Sequence, residues 1–261
     1  MLLYLRRDKF ILVPERREAI LEYIQQNHSA TVAELSAKFF IGETSIRRDL
    51  SKLEKSGFLR KTYGGAILLP ANNNVLALEA RRHIEEVEKI AIARKATSLI
   101  NDGDVIFLDS SSTSLAMVPF LKNFNSLSVV THGIPTAVNL LSFPQIKVYL
   151  AGGFIKSNLQ SCNGVFTCAV FSSMQANKTF ISPKAVDRLF GVYCSNEEEM
   201  NVRNTMLEHS IQAILLCNTT KLDQSAQFHL CELKKFHVIV CDKNPDKEWR
   251  EIFSKNQIKL L

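Results

Sequence analysis

Long apolar runs, C-x-x-C pairs and low-complexity segments are all missing from this sequence. No apolar stretch approaches the roughly 18 residues that a membrane-spanning helix needs. The six cysteines and six histidines show no spacing typical of metal ligands. The first residues, MLLYLRRDKFILV, are too charged in their middle for a signal peptide. The sequence therefore predicts a cytoplasmic protein with free thiols, no metal, no cofactor and no membrane partner.

Acidic residues do not balance the basic ones, and the imbalance is uneven along the chain. The 261 residues carry a net charge of +6. Residues 1–69 hold 12 Lys/Arg against 8 Asp/Glu, which leaves 20 against 18 for the much longer remainder. An excess of positive charge at one end of a chain permits a polyanionic partner bound by that end.

Three short helices are predicted within residues 15–56. Thr31 and Glu34 have the spacing of a capping box, which marks the start of the second helix. A tight turn then precedes a third helix at about 43–56. Its inward face would consist of Ile46, Leu50 and Leu53.

The opposite face of the third helix is polar and basic, and a hairpin follows it. Two short strands, at 58–61 and 66–69, flank the sequence Tyr63-Gly64-Gly65. Two helices at a tight turn followed by a hairpin indicate a winged helix-turn-helix, whose second helix enters the major groove of DNA. The residues predicted to contact DNA are Thr44, Ser45, Arg47, Arg48, Lys52, Arg60 and Lys61.

A polar segment containing proline separates this region from a longer one. The predicted domains are a winged helix-turn-helix at 1–69, a linker at 70–78 and an effector-binding and oligomerisation domain at 79–261. The last begins with a helix at about 79–100 and continues as an alternation of apolar runs and helical patterns. That alternation predicts an α/β fold with a mainly parallel sheet. The six predicted strands are 105–109, 127–130, 146–150, 178–182, 211–217 and 236–241.

Hydroxyl groups and glycines follow several of these strands. Ligands of parallel sheets bind beyond the carboxyl ends of the strands, where helix amino-termini and free amides converge. The hydroxyl-rich run 110–114 fits either an anion site or an ordinary helix cap. Loops containing His132, Gly152, Gly153 and Lys221 favour the anion site, because they add a cation and accessible backbone.

The N-terminal motifs resemble the DNA-binding domain of the DeoR family of bacterial transcriptional regulators. The resemblance extends from Arg16 through S-I-R-R-D-L (45–50) to Y-G-G-A (63–66). Two positions depart from the family pattern. Phe40 stands where the family usually has a turn glycine, and Gly42 stands where it usually has a serine helix cap.

Residues 79–261 also resemble this family, whose effector domain is related to ribose-5-phosphate isomerase and binds phosphorylated sugars. The D-G-D-x-I-F-L-D-S run (102–110), the G-G pair and the T-K pair occupy the positions of its phosphosugar loops. His132 replaces the usual asparagine, and Asn218 replaces the usual aspartate. The residues predicted to bind the effector are Ser110, Ser112, Thr113 and Lys221 at the phosphate, and His132, Gly152, Gly153 and Asn218 at the sugar.

The resemblance implies a transcriptional regulator, with a repressor of a sugar-use operon as the favoured form. Its partners would be double-stranded operator DNA, a phosphorylated sugar or related metabolite, and further copies in a homodimer or homotetramer. Two alternatives remain. One is a sugar-phosphate isomerase-like enzyme with Asp109, Asp187 and Glu199 as acid/base candidates, and the other is an effector domain that serves only for assembly.

Overall fold

The computed structural model describes residues 13–55, 59–68 and 78–261. The chain divides into two compact units, Met1–Ala80 and Arg81–Leu261. The predicted linker at 70–78 lies outside the described residues except for Leu78, and so do residues 58 and 69 of the predicted hairpin strands.

In its described residues the first unit contains three complete helices, a small antiparallel sheet of order β1-β3-β2, and the start of a fourth helix that continues into the second unit. Its core joins one face of each helix to the sheet through buried side chains that include Ile20, Leu35 and Ile46. The elements are α1 (Val13–Asn27), β1 (Ser29–Thr31), α2 (Val32–Phe39), α3 (Glu43–Lys55), β2 (Leu59–Lys61) and β3 (Gly65–Leu68), followed by α4 (Leu78–His83), which spans the boundary between the units.

The second unit is built on a parallel sheet of seven strands, in the order β15-β14-β12-β9-β4-β5-β6. Helices cover both of its faces. The elements in chain order are α5 (Glu86–Thr97), β4 (Val105–Leu108), α6 (Ser112–Leu115), α7 (Val118–Leu121), β5 (Leu127–Thr131), α8 (Ile134–Leu140), β6 (Ile146–Leu150), β7 (Phe154–Lys156), β8 (Ser161–Asn163), α9 (Val165–Ser172), β9 (Ala176–Ile181), β10 (Ala185–Asp187), β11 (Gly191–Cys194), α10 (Glu197–Glu208), β12 (Ser210–Cys217), β13 (Phe228–Cys231), β14 (Val238–Cys241), α11 (Lys247–Lys255) and β15 (Lys259–Leu260).

Successive residues of β4 show why these strands read as continuous apolar runs. Ile106 and Leu108 pack in the cluster on the face covered by α5, while Phe107 packs with Phe171 of α9 on the other face. Both sides of a strand are therefore buried, as expected for a parallel sheet between two helical layers. The α/β prediction is confirmed, and all six predicted strands are present, β6 with its predicted bounds and the other five with shifted ends.

The predicted helix at 79–100 is wrong as a single element. The structure has α4 and α5 instead, separated at Ile84 and Glu85. Glu85 adopts a left-handed backbone with φ of 53°, a conformation that cannot continue an α-helix. The apolar periodicity does not reveal the break, because nothing in residues 79–100 is a glycine or proline.

Two further small sheets and a seventh strand were not predicted. The hairpin β7–β8 and the antiparallel sheet β10-β11-β13 consist of strands of three or four residues, which are too short to show an alternating pattern. β15 adds two residues at one edge of the parallel sheet. All six cysteines are free, as predicted.

Candidate DNA-binding surface and effector site

Local hydrogen bonds shape the helix-turn-helix, and some of them were predicted from the sequence. The Thr31 hydroxyl accepts from the Glu34 amide at 3.1 Å, and the Thr31 amide donates to the Glu34 carboxylate at 2.7 Å. These bonds lower the pKa of Glu34 and complete the predicted capping box. Helix α2 is ended by the next residue, Phe40, which has a left-handed φ of 55° and an almost fully exposed side chain. A glycine would hold that backbone without strain.

Helix α3 presents the two faces that its sequence predicts. Ile46, Leu50 and Leu53 are buried in the core of the unit. On the outward side Arg47 pairs with Glu43 at 3.0 Å, whereas Arg48 makes no ion pair with any residue that the structure describes. Of the predicted DNA contacts on this helix, Thr44, Arg47, Arg48 and Lys52 are exposed and Ser45 is half-buried.

The sequence reasoning missed Asp49, which fixes α3 to α1. Its carboxylate is fully buried and accepts from Arg16 at 2.6 Å and from Arg17 at 2.9 Å. A buried carboxylate with two arginine partners holds the angle between the two helices, and hence the direction in which the outward face of α3 points. Its position between Ile46 and Leu50, on the inward side of the helix, was the available signal.

The wing is held against α3 by Lys61. Its amide donates to Glu54 at 2.8 Å and its ammonium donates to Ser51 at 2.8 Å, while the neighbouring Arg60 is exposed. A Cβ atom on Gly65 would lie 2.2 Å from the carbonyl oxygen of Ala30, so only glycine fits where β3 crosses β1. Gly65 is therefore required by the packing of the wing, whereas a Cβ atom on Gly64 would meet nothing within 4 Å.

In the second unit, Asp109 organises the loop that follows β4. One of its carboxylate oxygens accepts from the Ser111 amide at 3.1 Å and from the Ser114 hydroxyl at 2.6 Å. The other accepts from the Ser182 amide at 3.0 Å, in the loop that follows β9. Arg203 of α10 lies 2.9 Å from the same oxygen. Asp109 thus ties together two strand-end loops and a helix.

The ionic cluster around Asp109 is buried. Burial by itself would raise the pKa of Asp109, but Arg203 and the donors from Ser111, Ser114 and Ser182 hold that pKa below its usual value. Arg203 also lies 3.5 Å from Glu199, one helical turn earlier. Burial by itself would lower the pKa of Arg203, but Cys194, Glu199 and Asp109 outweigh it and hold that pKa above its usual value, so the guanidinium stays charged.

Lys221 is joined through Ser182 to residues 110–114, here called the serine-rich loop. Its ammonium donates to the Ser182 hydroxyl at 2.9 Å and to the Pro183 carbonyl at 2.8 Å. The Ser182 hydroxyl in turn donates to Thr113 at 3.2 Å. Lys221 forms no ion pair within the described part of the chain. Burial, with smaller contributions from neighbouring charges, lowers the pKa of Lys221 to about 8.

His132 is fully buried, and both of its ring nitrogens are engaged. Nε2 accepts from the Ser110 amide at 3.1 Å, and Nδ1 donates to the Cys162 carbonyl at 3.0 Å. Burial lowers the pKa of His132 and keeps the ring neutral. His132 therefore holds the serine-rich loop against β8, and its contact with a sugar stays a prediction.

Asn218 is also engaged with its own protein. Its amide nitrogen donates to Glu85 at 2.8 Å, and its oxygen accepts from the Thr220 amide at 3.1 Å. The second of these bonds starts the short 3₁₀ helix Thr219–Lys221. The predicted sugar contact of Asn218 is untested by this geometry, and the link to Glu85 was not foreseen.

The remaining predicted effector residues lie in different surroundings. A Cβ atom on Gly153 would lie 2.4 Å from the Thr167 hydroxyl, whereas one on Gly152 would meet nothing within 4 Å. Ser110 lies two residues after the end of β4, and Ser112 lines a groove of about 320 Å³ on the helical face together with Lys89 and Leu115. The serine-rich loop leads only into α6, a helix of a single turn.

The acid/base candidates of the enzyme alternative are committed to structural contacts. Asp109 and Glu199 both lie beside Arg203. One oxygen of Asp187 accepts from the Leu189 amide at 2.8 Å and the Phe190 amide at 2.6 Å, which closes the turn between β10 and β11. Among the described residues no group of three His, Cys, Asp or Glu side chains is placed to hold a metal ion. None of the described helices is long and apolar enough to cross a bilayer.

Comparison with protein families gives a match for each unit. Residues 16–71 match the DeoR-like helix-turn-helix domain, and residues 84–243 match the DeoR C terminal sensor domain. The chain belongs to the DeoR family. This DeoR-family protein is therefore a DNA-binding transcriptional regulator with a sensor domain, and the predictions of family and general function are confirmed.

Named relatives are similar over nearly the whole chain. The transcriptional regulator GolR of Listeria innocua is 31% identical over 235 residues, which cover 89% of this chain and 92% of that protein. The transcriptional repressor GlcR of Bacillus subtilis is 29% identical over 247 residues, 95% of each. The L-fucose operon activator of Haemophilus influenzae is 29% identical over 232 residues, which cover 88% of this chain and 93% of that protein. All three of these relatives are named as regulators of transcription.

Solved structures are similar at lower identity. A D-ribose-5-phosphate isomerase in complex with phospho-erythronic acid is 16% identical, with a TM-score of 0.40 over 53% of this chain and 55% of that one. The delta subunit of eIF2B from Chaetomium thermophilum is 14% identical, with a TM-score of 0.44 over 90% of this chain and 80% of that one.

Proposed function

We propose that this DeoR-family protein represses a sugar-use operon in the cytoplasm and is controlled by a phosphorylated sugar or a related metabolite. The observation that carries the effector is Lys221, a partly buried cation whose described contacts are a hydroxyl and a carbonyl rather than a carboxylate. Desolvating an ammonium group without an anionic partner costs free energy, and a bound phosphate would restore that partner. Ser182 and Thr113 would add hydroxyl donors beside it.

Names of relatives support the sugar-related part of this proposal. Besides GlcR and the L-fucose operon activator, a putative aga operon transcriptional repressor of Escherichia coli is 26% identical over 249 residues. Both repressors and an activator occur among them. Repression is the form that we propose here, with operator contacts made by Thr44, Ser45, Arg47, Arg48, Lys52, Arg60 and Lys61 in a homodimer or homotetramer.

Replacing Lys221 by alanine tests the effector site. Loss of one charge-assisted hydrogen bond should weaken a sugar phosphate by roughly 10- to 100-fold, and should leave the unphosphorylated sugar unaffected. Isothermal titration calorimetry against paired sugars and sugar phosphates measures both. Lys235→Ala is the matched control, because it removes the same charge from an exposed residue before β14, at the opposite ends of the strands. Equal affinity of Lys221→Ala and wild type for every sugar phosphate would refute the site.

The same experiment has a proton signature. The pKa of Lys221 is about 8 without an anion, so half of the side chains are neutral amines at that pH and most are neutral above it. A phosphate that binds it raises this pKa, and binding at slightly alkaline pH should therefore take up a proton. Affinity should fall as the pH rises through about 8. Calorimetry in buffers of different ionisation enthalpy measures the uptake, which Lys221→Ala should abolish.

The beginning of the second unit lies within reach of this site and supports a route for regulation. Arg81 is the first residue of the unit. Burial is the main cause that lowers its pKa, and the negative charges of Glu199 and Asp109 act in the opposite direction and raise it. The Lys89 ammonium donates to the carbonyls of Arg81 and Ile84. Burial is the main cause that lowers the pKa of Lys89 to about 8, and the charge of Lys221 is the next.

Glu85 completes the connection, since it lies at the break between α4 and α5 and accepts from Asn218. Residues 81–89 are thus attached to the loop that carries Lys221 and directly follow the DNA-binding unit in sequence. We infer that a bound effector changes the conformation of this segment. An effector that binds two conformations unequally shifts their populations, which is the thermodynamic requirement for control of DNA binding.

Glu85→Ala tests this coupling. The change in operator affinity caused by the effector, typically about 5- to 150-fold for an allosteric pair, should shrink toward one. Affinity for each ligand alone should change little. Gel shifts with the DNA upstream of the gene, with and without effector, measure the ratio, and Glu88→Ala in the adjoining helix α5 is the control. An unchanged ratio in Glu85→Ala would exclude the Glu85–Asn218 contact as the route.

A further inference from the structure

A cluster of large apolar side chains is exposed along one edge of the second unit. Their exposed fractions range from 43% to 83%. This surface, here called the apolar edge, comprises Tyr149, Leu150, Phe154, Ile155, Val165 and Phe166.

The apolar edge is continuous in space. Tyr149 and Leu150 end β6, and Phe154 and Ile155 follow in β7 after a three-residue loop. The Thr167 hydroxyl donates to the Gly152 carbonyl at 2.9 Å, so the start of α9 is fixed against that loop. Phe166 immediately precedes Thr167, and Phe154 lies two residues after Gly152, which places the two aromatic residues on neighbouring segments.

Helix α9 has the composition of a helix that is covered on all sides. Thr167 and Phe171 face the core, while Val165, Phe166 and Ala169 on the other side are exposed. The sequence VFTCAVFS offers no charged residue to solvent. A helix that is apolar all round is normally buried, and in this unit taken alone one side of α9 is not.

Charge is almost absent from the segment that forms this surface. From Val148 to Asn177 the sequence contains a single charged residue, Lys156, and its ammonium pairs with Glu198 at 2.8 Å. Depletion of charge together with enrichment of aromatic side chains is the composition of the centre of a protein–protein interface. A surface without net charge offers nothing for a charged partner to recognise, and it is compatible with a copy of itself.

The strand at this edge is open. β6 is the last strand of the parallel sheet within the described residues, so one row of its backbone amides and carbonyls has no strand beside it. Proteins usually protect such an edge with charges, proline or a covering element. β6 reads IKVYL and has one lysine. A second β6 related by a two-fold axis would pair with it antiparallel.

The size of the surface also matches a second copy. A large side chain presents roughly 150–250 Å² when fully exposed, so these six present on the order of 650 Å². The largest apolar patch on a monomer is typically about 300–600 Å², and a stable complex buries about 800 Å² on each partner. The apolar edge with the backbone of β6 reaches that area.

We propose that the apolar edge is the interface between two copies of this chain, related by a two-fold axis that places the two β6 strands side by side. This inference rests on the proposed homo-oligomer and names its surface. The Ala151–Gly153 loop joins two segments of the interface and carries the predicted effector residues Gly152 and Gly153, so dimerisation would also shape one wall of the effector site.

Phe154→Asp/Phe166→Asp tests the proposal in the full-length chain. Two buried charges at the centre of an interface should raise the dimer dissociation constant by at least about 100-fold, as measured by analytical ultracentrifugation. Leu141→Asp/Leu189→Asp is the matched control. It introduces the same charges at apolar side chains of similar exposure just after α8 and on the turn after β10, and should leave the dimer intact.

A second measurement needs no substitution. Hydrogen exchange of wild type should show protection of residues 146–155 that increases with protein concentration. A wild type that sediments as a monomer would refute both the homo-oligomer and its surface. A wild-type dimer whose Phe154→Asp/Phe166→Asp variant remains dimeric, or whose control variant dissociates, would refute the surface alone. Calorimetry with sugar phosphates is independent of either result.

Discussion

Operator affinity should fall by roughly 100-fold or more when Arg47 and Arg48 are both replaced by alanine, since each arginine that reads a base contributes about 1–3 kcal/mol. Both side chains lie on the outward face of α3, and Arg48 makes no ion pair in the described residues. Arg47 has to leave Glu43, which costs only about 0.3–0.5 kcal/mol for an exposed pair one turn apart. The core face of the helix is untouched, so the unit should stay folded.

Gel shifts on the upstream DNA and on a scrambled duplex, at several salt concentrations, distinguish contacts with bases from contacts with phosphates. Loss of base contacts reduces the preference for the operator, whereas loss of a phosphate contact lowers affinity for both duplexes and flattens the salt dependence. Lys122→Ala/Lys255→Ala removes the same charge from exposed residues of the second unit and serves as the control. If the arginine variant kept the operator preference of wild type, α3 would not be the reading helix.

Asp109→Ala should destabilise the second unit by about 3–5 kcal/mol, the usual cost of leaving one member of a buried ion pair without its partner. Arg203 would lose its carboxylate at 2.9 Å, and the Ser182 amide would lose its acceptor at 3.0 Å. Urea unfolding measures the loss through Trp249, because this residue is the only tryptophan of the chain and lies buried in α11. The serine-rich loop should also lose its order, and with it the affinity for sugar phosphates.

The control for this variant is Glu198→Ala, which removes a half-exposed carboxylate from a pair with Lys156. A surface pair of that kind contributes about 0–1 kcal/mol. The pKa of Asp109 is depressed, so its contribution is complete at neutral pH and is lost only as the pH falls below the usual value of about 3.9. Similar unfolding midpoints for the two variants would contradict the role assigned to Asp109.

Local patterns were enough to predict most of the fold. The capping box at Thr31, the buried stripe of α3 and the apolar strands of the sheet each depend on residues close together in sequence. The break at Glu85 was missed because a left-handed residue that is neither glycine nor asparagine leaves no local mark. Strands as short as β7 and β8 were missed because alternation cannot be recognised over three residues.

Sequence by itself determined the kind of protein: an N-terminal winged helix with a basic outward face, joined to a parallel α/β unit, and a family whose motifs lie within short segments. Tertiary structure alone decided which of the predicted residues are available to a ligand. It placed Lys221 beside Ser182, engaged both nitrogens of His132, and joined Asn218 to Glu85 across 133 positions. The physical reason is that a helix or strand is specified by neighbours along the chain, whereas the partner of a buried polar group is chosen by whatever the fold brings within hydrogen-bond distance.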